Sequence, residues 1–236
     1  MKKEAHLYEN LSAGGCGTPL ICYTYYVPAS VSPAEIYRQE HLLGLALLQK
    51  GLKDFYQISL TFTELTSGLL KTKNGKPYLK DYPEVFFNIS HCNGLVVCAF
   101  HQSATGADCE LPGYFAPVLP DKILSAEEKT QFQKYGTDSE KEQEWFSRFW
   151  TLKEAYVKYT GTGVDTSLTS FSFFFPVCGF SQKESLQIPC SDSDVICFQR
   201  TMEGGQILSV CVAASSVSAG TEAAFCEYTA SDLNCG

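Results

Sequence analysis

The sequence predicts an α+β protein made of two parts of comparable size, and three observations carry that prediction. Two runs, over 33–50 and 139–160, have apolar residues at helical spacing. Short β-rich runs accompany each of them, up to about residue 101 in the first part, and over 106–110 and from 168 to 213 in the second. The order of elements therefore recurs on either side of residue 105 with no internal sequence repeat. We divide the chain into an N-terminal lobe, 1–105, and a C-terminal lobe, 106–236, with a polar tail from about 216.

In chain order, Ser32-Pro33-Ala34-Glu35 is a capping box with proline at the first helical position, and Ile36, Leu43 and Leu47 follow at helical spacing until Gly51. Ile58, Leu60 and Phe62 alternate as in a half-buried strand. Lys73-Asn74-Gly75-Lys76-Pro77 is turn chemistry that presents a basic loop. Two strands, 85–90 and 95–101, are joined through His91-Cys92-Asn93-Gly94 as a hairpin, and a further strand covers 106–110. Ser125-Ala126-Glu127-Glu128 opens a short helix. The long helix that follows carries Trp145, Phe149, Leu152 and Tyr156 on one stripe and ends at Gly161. Strands over 168–175, 195–200 and 207–213 complete the second part, and the last twenty residues read as a loosely held tail.

Composition narrows the function. Of the 236 residues 44% are hydrophobic and 19% charged, enough to bury a sizeable core. The charge sum, 18 minus 26 or −8, speaks against nucleic-acid binding, so a polyanionic ligand must be met locally by a metal or a few cations. The start, Met-Lys-Lys-Glu-Ala-His, lacks an apolar signal region, and runs such as Leu42–Leu48 are far too short to span a membrane. A soluble, cytoplasmic protein is expected. Eleven cysteines with no CxxC pair then read as reduced, mostly buried thiols.

Several residues could carry chemistry. Asp108 and Glu110 flank Cys109 in a strand, which puts both carboxylates on one face; the pattern suits a metal but is also common at solvated strand ends. At about 100° per residue, Trp150, Glu154 and Lys158 lie together, away from the apolar stripe of their helix. An i, i+4 Glu–Lys pair is ordinarily plain helix surface, but the indole beside it needs a second surface to cover it, as in the wall of a cleft. Ser90-His91 and Lys76 are either turn residues or donors to an anionic ligand.

Taken together and in order, Gly75-Lys76-Pro77, Phe87-Asn88-Ile89-Ser90-His91, Gly106-Ala107-Asp108-Cys109-Glu110 and Phe149-Trp150-Thr151-Leu152-Lys153-Glu154-Ala155-Tyr156-Val157-Lys158 resemble the ordered motifs of 4′-phosphopantetheinyl transferases, in particular the monomeric surfactin-synthetase-activator class. The resemblance spans roughly 30–215. It implies two pseudo-symmetric α/β lobes with coenzyme A and Mg2+ between them. Asp108, Glu110 and Glu154 match the metal ligands, and Lys158, Lys76, Ser90 and His91 match contacts to coenzyme A, with Lys153 a second-ranked contact. Glu154 and Lys158 are the expected catalytic residues. The usual Ile between the strand acids is Cys109 here, and the basic residues for the 3′-phosphate have no secure match, Arg38 and Lys50 being candidates. The partner implied is an acyl, polyketide or peptidyl carrier protein. Two alternatives stand beside this reading: another Mg-dependent phosphoryl or nucleotidyl transferase, and a silent coenzyme A-binding module. The loop 111–124 is expected to meet the carrier, with Phe115 or Leu119 as apolar anchor and Lys122 or Lys129 as steering charge.

Overall fold

The structure, a computed structural model, describes residues 17–176, 185–218 and 220–233. Its strands are β1 Leu20–Tyr25, β2 Leu69–Lys71, β3 Pro77–Leu79, β4 Phe86–Cys92, β5 Leu95–His101, β6 Thr105–Glu110, β7 Leu186–Pro189, β8 Val195–Thr201, β9 Ile207–Ala213 and β10 Ala224–Glu227. The helices are α1 Pro33–Tyr56, α2 Phe62–Gly68, α3 Leu119–Ile123, α4 Ala126–Tyr135 and α5 Ser139–Thr160. Two four-stranded sheets, ordered β10-β1-β5-β4 and β6-β9-β8-β7, carry the fold, beside a small β2–β3 hairpin.

Alternation along the strands shows how the layers stack. Leu20, Cys22, Val96, Cys98 and Phe100 face α1, and the residues between them, Ile21, Leu95, Val97 and Ala99, pack with Ala107, Leu208, Val210 and Val212 of the second sheet. On that sheet's other face, Val195, Cys197 and Cys211 join Phe149, Leu152 and Ala155 of α5. The order is helix, sheet, sheet, helix, which buries both faces of each sheet and explains strands that read as unbroken apolar runs: all seven residues of β5 are buried.

Several expectations are corrected. The first helix runs through Gly51 to Tyr56, because this glycine lets Phe100 approach: a Cβ there would lie 2.4 Å from its ring. Ser32 makes no side-chain cap bond, whereas the capping box at Ser125 is formed. The strand expected at Ile58–Phe62 is absent. Gln57 turns the chain at φ 57°, and Thr61 and Glu64 form a capping box that starts α2. The stretch 168–175 makes a 3-10 turn and a single bridge, Phe173 to Cys190, and buries Phe171, Phe173 and Phe175 as core rather than as a ladder.

The tail is not loose. β10 pairs in parallel with β1, and Leu233 is buried against the α1 side of the first sheet. The strand is only four residues long, which hid it. Nor are all the thiols reduced: Cys197 and Cys211 stand directly opposite on β8 and β9 and form a disulfide. Cys22, Cys92, Cys98 and Cys109 are free and buried. Cys16, Cys178, Cys235 and the Met1–His6 start lie outside the described residues. Among the described residues no helix is long and apolar enough to cross a membrane.

Candidate active site

The site forms where the two sheets meet, along β4 and β6. Asn88 and Ser90, two apart on β4, turn their side chains toward β6. There Asn88 Oδ1 accepts the Ala107 N–H at 2.8 Å and Ser90 Oγ accepts the Cys109 N–H at 3.3 Å, also two apart. Side chains thus take the place of a backbone ladder between the sheets and satisfy buried N–H groups that would otherwise be orphaned. His91, expected in the turn, continues the strand opposite Val96, and the turn itself is Asn93-Gly94.

A helix then crosses β6 at close range. A Cβ on Gly106 would lie 2.1 Å from the Ala155 carbonyl oxygen and 2.2 Å from the Tyr159 nitrogen, so only glycine admits the α5 backbone here. That approach brings Lys158 onto Asp108. The ammonium lies 2.6 Å from Asp108 Oδ1 and donates also to Ser90 Oγ at 3.3 Å; Ser90 in turn donates to Asp108 Oδ1 at 3.1 Å. Asp108, placed outside the core by its sequence context, is 5% exposed.

The electrostatics are those of crowded acids. Burial pushes the Asp108 carboxyl up, with Lys158 pulling against it. Burial and then the charge of Asp108 push Glu110 up, opposed by a hydrogen bond from Trp150 and by Lys158. Glu154 is raised by burial and by Asp108. Burial disfavours the Lys158 ammonium, yet Asp108 and its other anionic neighbours more than offset that and hold it up. Trp150 accordingly covers the cleft side of its helix and touches an acid, which explains an indole on that face.

A metal test follows from Asp108 itself. Its Oδ2 is buried with no hydrogen-bond partner, while Glu154 adds to the charge cost of Glu110. Among the described residues no group of three or more His, Cys, Asp or Glu is gathered closely enough to hold a metal ion by itself. An all-oxygen set of this kind fits Mg2+, which keeps several waters and needs only one or two carboxylates beside substrate phosphates.

The remaining expected residues divide. His91 lies on the same seam, its Nδ1 2.9 Å from Glu40 Oε2. Lys76 points to the second sheet's side and donates to the carbonyls of Thr105 at 3.0 Å and Tyr159 at 2.9 Å, and burial pushes its ammonium down to about 8. It ties the β2–β3 turn to β6 and α5, a role shared by Asn74, whose amide donates to Gly161 O at 2.9 Å. Lys153 is corrected: it is fully buried on the far side of α5, 2.7 Å from Glu128 and bonded to the carbonyls of Leu168 and Phe171, out of reach of a cleft ligand. Lys50 pairs with Asp54 and lines a separate cavity of about 700 Å³, while Arg38 is exposed on α1.

In the loop after β6, Phe115 stacks on Phe146 with ring centroids 4.1 Å apart and Lys129 pairs with Asp121, whereas Tyr114 is 85% exposed. Phe115 is therefore packing, and the exposed aromatic is its neighbour. Two residues of the seam go beyond the roles read from the sequence: Asn88, which stands in the motif without a role of its own, and Glu40, which stands in none. The signal for Glu40 was present, since it sits on the same stripe as Ile36, Leu43 and Leu47, where an acid is out of place.

Comparison with known proteins bears on this arrangement. The family model described as the 4′-phosphopantetheinyl transferase superfamily matches residues 104–211. The chain is 29% identical over 175 residues to 4′-phosphopantetheinyl transferase Sfp of Bacillus subtilis (strain 168), covering 73% of each chain. It is 25% identical over 194 residues to 4′-phosphopantetheinyl transferase psf-1 of Bacillus pumilus, covering 82% of this chain and 79% of the relative. Over 150 residues it is 27% identical to an L-aminoadipate-semialdehyde dehydrogenase-phosphopantetheinyl transferase of Eremothecium gossypii, covering 60% of this chain and 54% of that protein. The matched stretch contains β6 and α5, the two elements that supply Asp108, Glu110, Glu154 and Lys158, so the similarity to 4′-phosphopantetheinyl transferases falls on the residues that form this site.

Proposed function

We propose that the protein transfers the 4′-phosphopantetheine arm of coenzyme A to a serine of an apo acyl, polyketide or peptidyl carrier protein. The observation that carries this reading is the orphaned Asp108 Oδ2, set among Glu110, Glu154 and Lys158 where the two sheets meet. Chemically, the serine oxygen bonds to the β-phosphorus of coenzyme A as the bond from that phosphorus to the bridging oxygen breaks. Adenosine 3′,5′-bisphosphate leaves with the electron pair.

Each residue has a part in this scheme. Glu154, whose carboxyl is raised by burial and by Asp108, takes the serine proton. Lys158 and His91 stabilise charge moving onto the α-phosphate, the electrostatic contribution that dominates phosphoryl transfer. Asp108, Glu110 and Glu154 would hold Mg2+, which when bound neutralises pyrophosphate charge beside the acids. Ser90 acts from beneath by fixing Asp108 and Lys158. Lys76 borders the coenzyme A side of the cleft through the turn that it anchors. The cleft lies between lobes 1–105 and 106–236, the second of which returns β10 to the sheet of the first, and the enzyme works as a cytoplasmic monomer.

Carrier recognition falls to the loop after β6, where Tyr114 and Leu111 border a cavity of about 320 Å³ that reaches Glu110 and Trp150. The deciding experiment is incubation with coenzyme A, Mg2+ and a panel of apo carriers. A mass gain of one phosphopantetheine on the carrier serine is expected. No gain on any carrier, with coenzyme A still bound, would leave a silent binding module or another Mg-dependent transferase.

A further inference from the structure

Glu40 is a carboxylate on the apolar stripe of α1, 7% exposed, with Leu43 and Leu47 next along the same stripe. A buried acid there costs stability unless both oxygens are used. Both are: Oε1 accepts the Tyr26 hydroxyl and Oε2 accepts the Nδ1–H of His91 at 2.9 Å. Burial, and then the bond to Glu40, push the Tyr26 hydroxyl up, so it remains a donor.

The ring of His91 is held on a second side as well. Tyr37 meets it edge-on at 5.8 Å, and Tyr37 is itself stacked on His41 at 6.3 Å. With Nδ1 committed to Glu40, Nε2 is left on the opposite side of the ring. His91 and Glu40 border a cavity of about 320 Å³ together with Asn93 and Glu110, one of the clustered acids.

We propose that Glu40 is a positioning residue for transfer: by accepting the Nδ1–H of His91 it fixes the ring orientation that turns the Nε2 edge toward the cavity shared with Glu110. This rests on the phosphopantetheinyl transfer reading for its kinetic arm. The hydrogen-bond arm stands without it.

The test uses Glu40→Ala, Glu40→Gln, His91→Ala and the double variant Glu40→Ala/His91→Ala, each checked for an unchanged urea midpoint. Glu40→Ala should lower kcat/KM for coenzyme A by about 10- to 100-fold, the range for losing a carboxylate that orients a working histidine. Its split between kcat and KM should match that of His91→Ala. The double variant should be no worse than the worse single one, because both remove the same contact. Glu40→Gln keeps an acceptor oxygen and should recover most of the activity. In the ligand-free protein, nitrogen-15 spectra of the four histidines should show a proton on Nδ1 of His91 in the wild type and in Glu40→Gln, and its loss in Glu40→Ala. Wild-type kinetics in Glu40→Ala, additive losses in the double variant, or a bare Nδ1 in the wild type would each overturn the proposal. Should Glu40→Ala not fold, Glu40→Gln and the wild-type spectrum still decide it. A wild type without transfer activity would instead sink the functional reading and leave the spectra to judge Glu40.

Discussion

Lys153→Met removes the cation of an ion pair that has no access to water: both side chains are 0% exposed, with Nζ 2.7 Å from Glu128 Oε2. Glu128 would keep its bonds from the N–H groups of Ser125, at 2.9 Å, and Phe173, at 2.8 Å, but would carry a buried charge with no counter-charge at contact distance. The carbonyls of Leu168 and Phe171 would lose their shared donor. Breaking one side of such a pair costs about 3–5 kcal/mol, and full burial leaves no screening to discount. For a chain of 236 residues that corresponds to a fall in Tm of about 6–20 °C. Urea melts of the purified variant measure the free-energy loss, and thermal melts the fall in Tm. Adding Glu128→Gln should restore a good part of the loss, since the amide oxygen still accepts while the charge is gone. An unchanged urea midpoint together with a raised KM for coenzyme A would refute the reasoning and return Lys153 to the ligand.

The other predictions concern the cleft. Lys158→Ala should lower kcat about 100-fold or more, as when one charge-stabilising donor is lost, and Asp108→Asn should abolish transfer with the fold kept; near-normal turnover in either would remove these residues from the site. Lys76 gives a pH signature: its folded value of about 8 lies below the roughly 10.4 of an unfolded lysine, so between these limits the unfolded chain holds the proton that the folded one has shed. The Lys76 contribution to stability therefore rises with pH across that window and is flat below it. Urea melts at pH 7 and 9.5 should show the wild type gaining on Lys76→Met, and the reverse trend would contradict the burial argument. Tyr114→Ser should raise the KM for carrier protein and spare that for coenzyme A, whereas Phe115→Ser should lower the urea midpoint through its lost stack on Phe146. Equal effects on carrier KM from both would mean that the loop acts as one unit.

What the sequence disclosed, and what it hid, follows from where each signal resides. α5 was legible to its last residue because capping, spacing and the closing glycine are all local. β10 was not, since its pairing partner lies some 200 positions away and the strand is only four residues long. Cys197 and Cys211 face one another through strand register, which spacing along the chain does not reveal. Lys153 and Glu154 are neighbours in sequence with opposite fates: about 100° of helical rotation sends one to a buried acid and the other to the cleft. Their motif names both residues without saying which one turns inward; that depended on Glu128, an acid whose evident role was to cap α4.

The same reasoning explains why the site lies on the seam and not within either sheet. Two sheets packed face to face offer their edges to each other only where side chains can replace the missing ladder, and Asn88 and Ser90 do so at β6. Ser90 then has its oxygen within bonding distance of the Cys109 amide, Asp108 and Lys158 at once, so that structural closure of the two halves and placement of the charged groups depend on one hydroxyl. Gly106 makes this possible by admitting the α5 backbone where any side chain would hold it off. A ligand bridging the seam would therefore meet groups from both halves already in register, with β6 and α5 supplying the acids and β4, braced by Glu40 from α1, supplying His91.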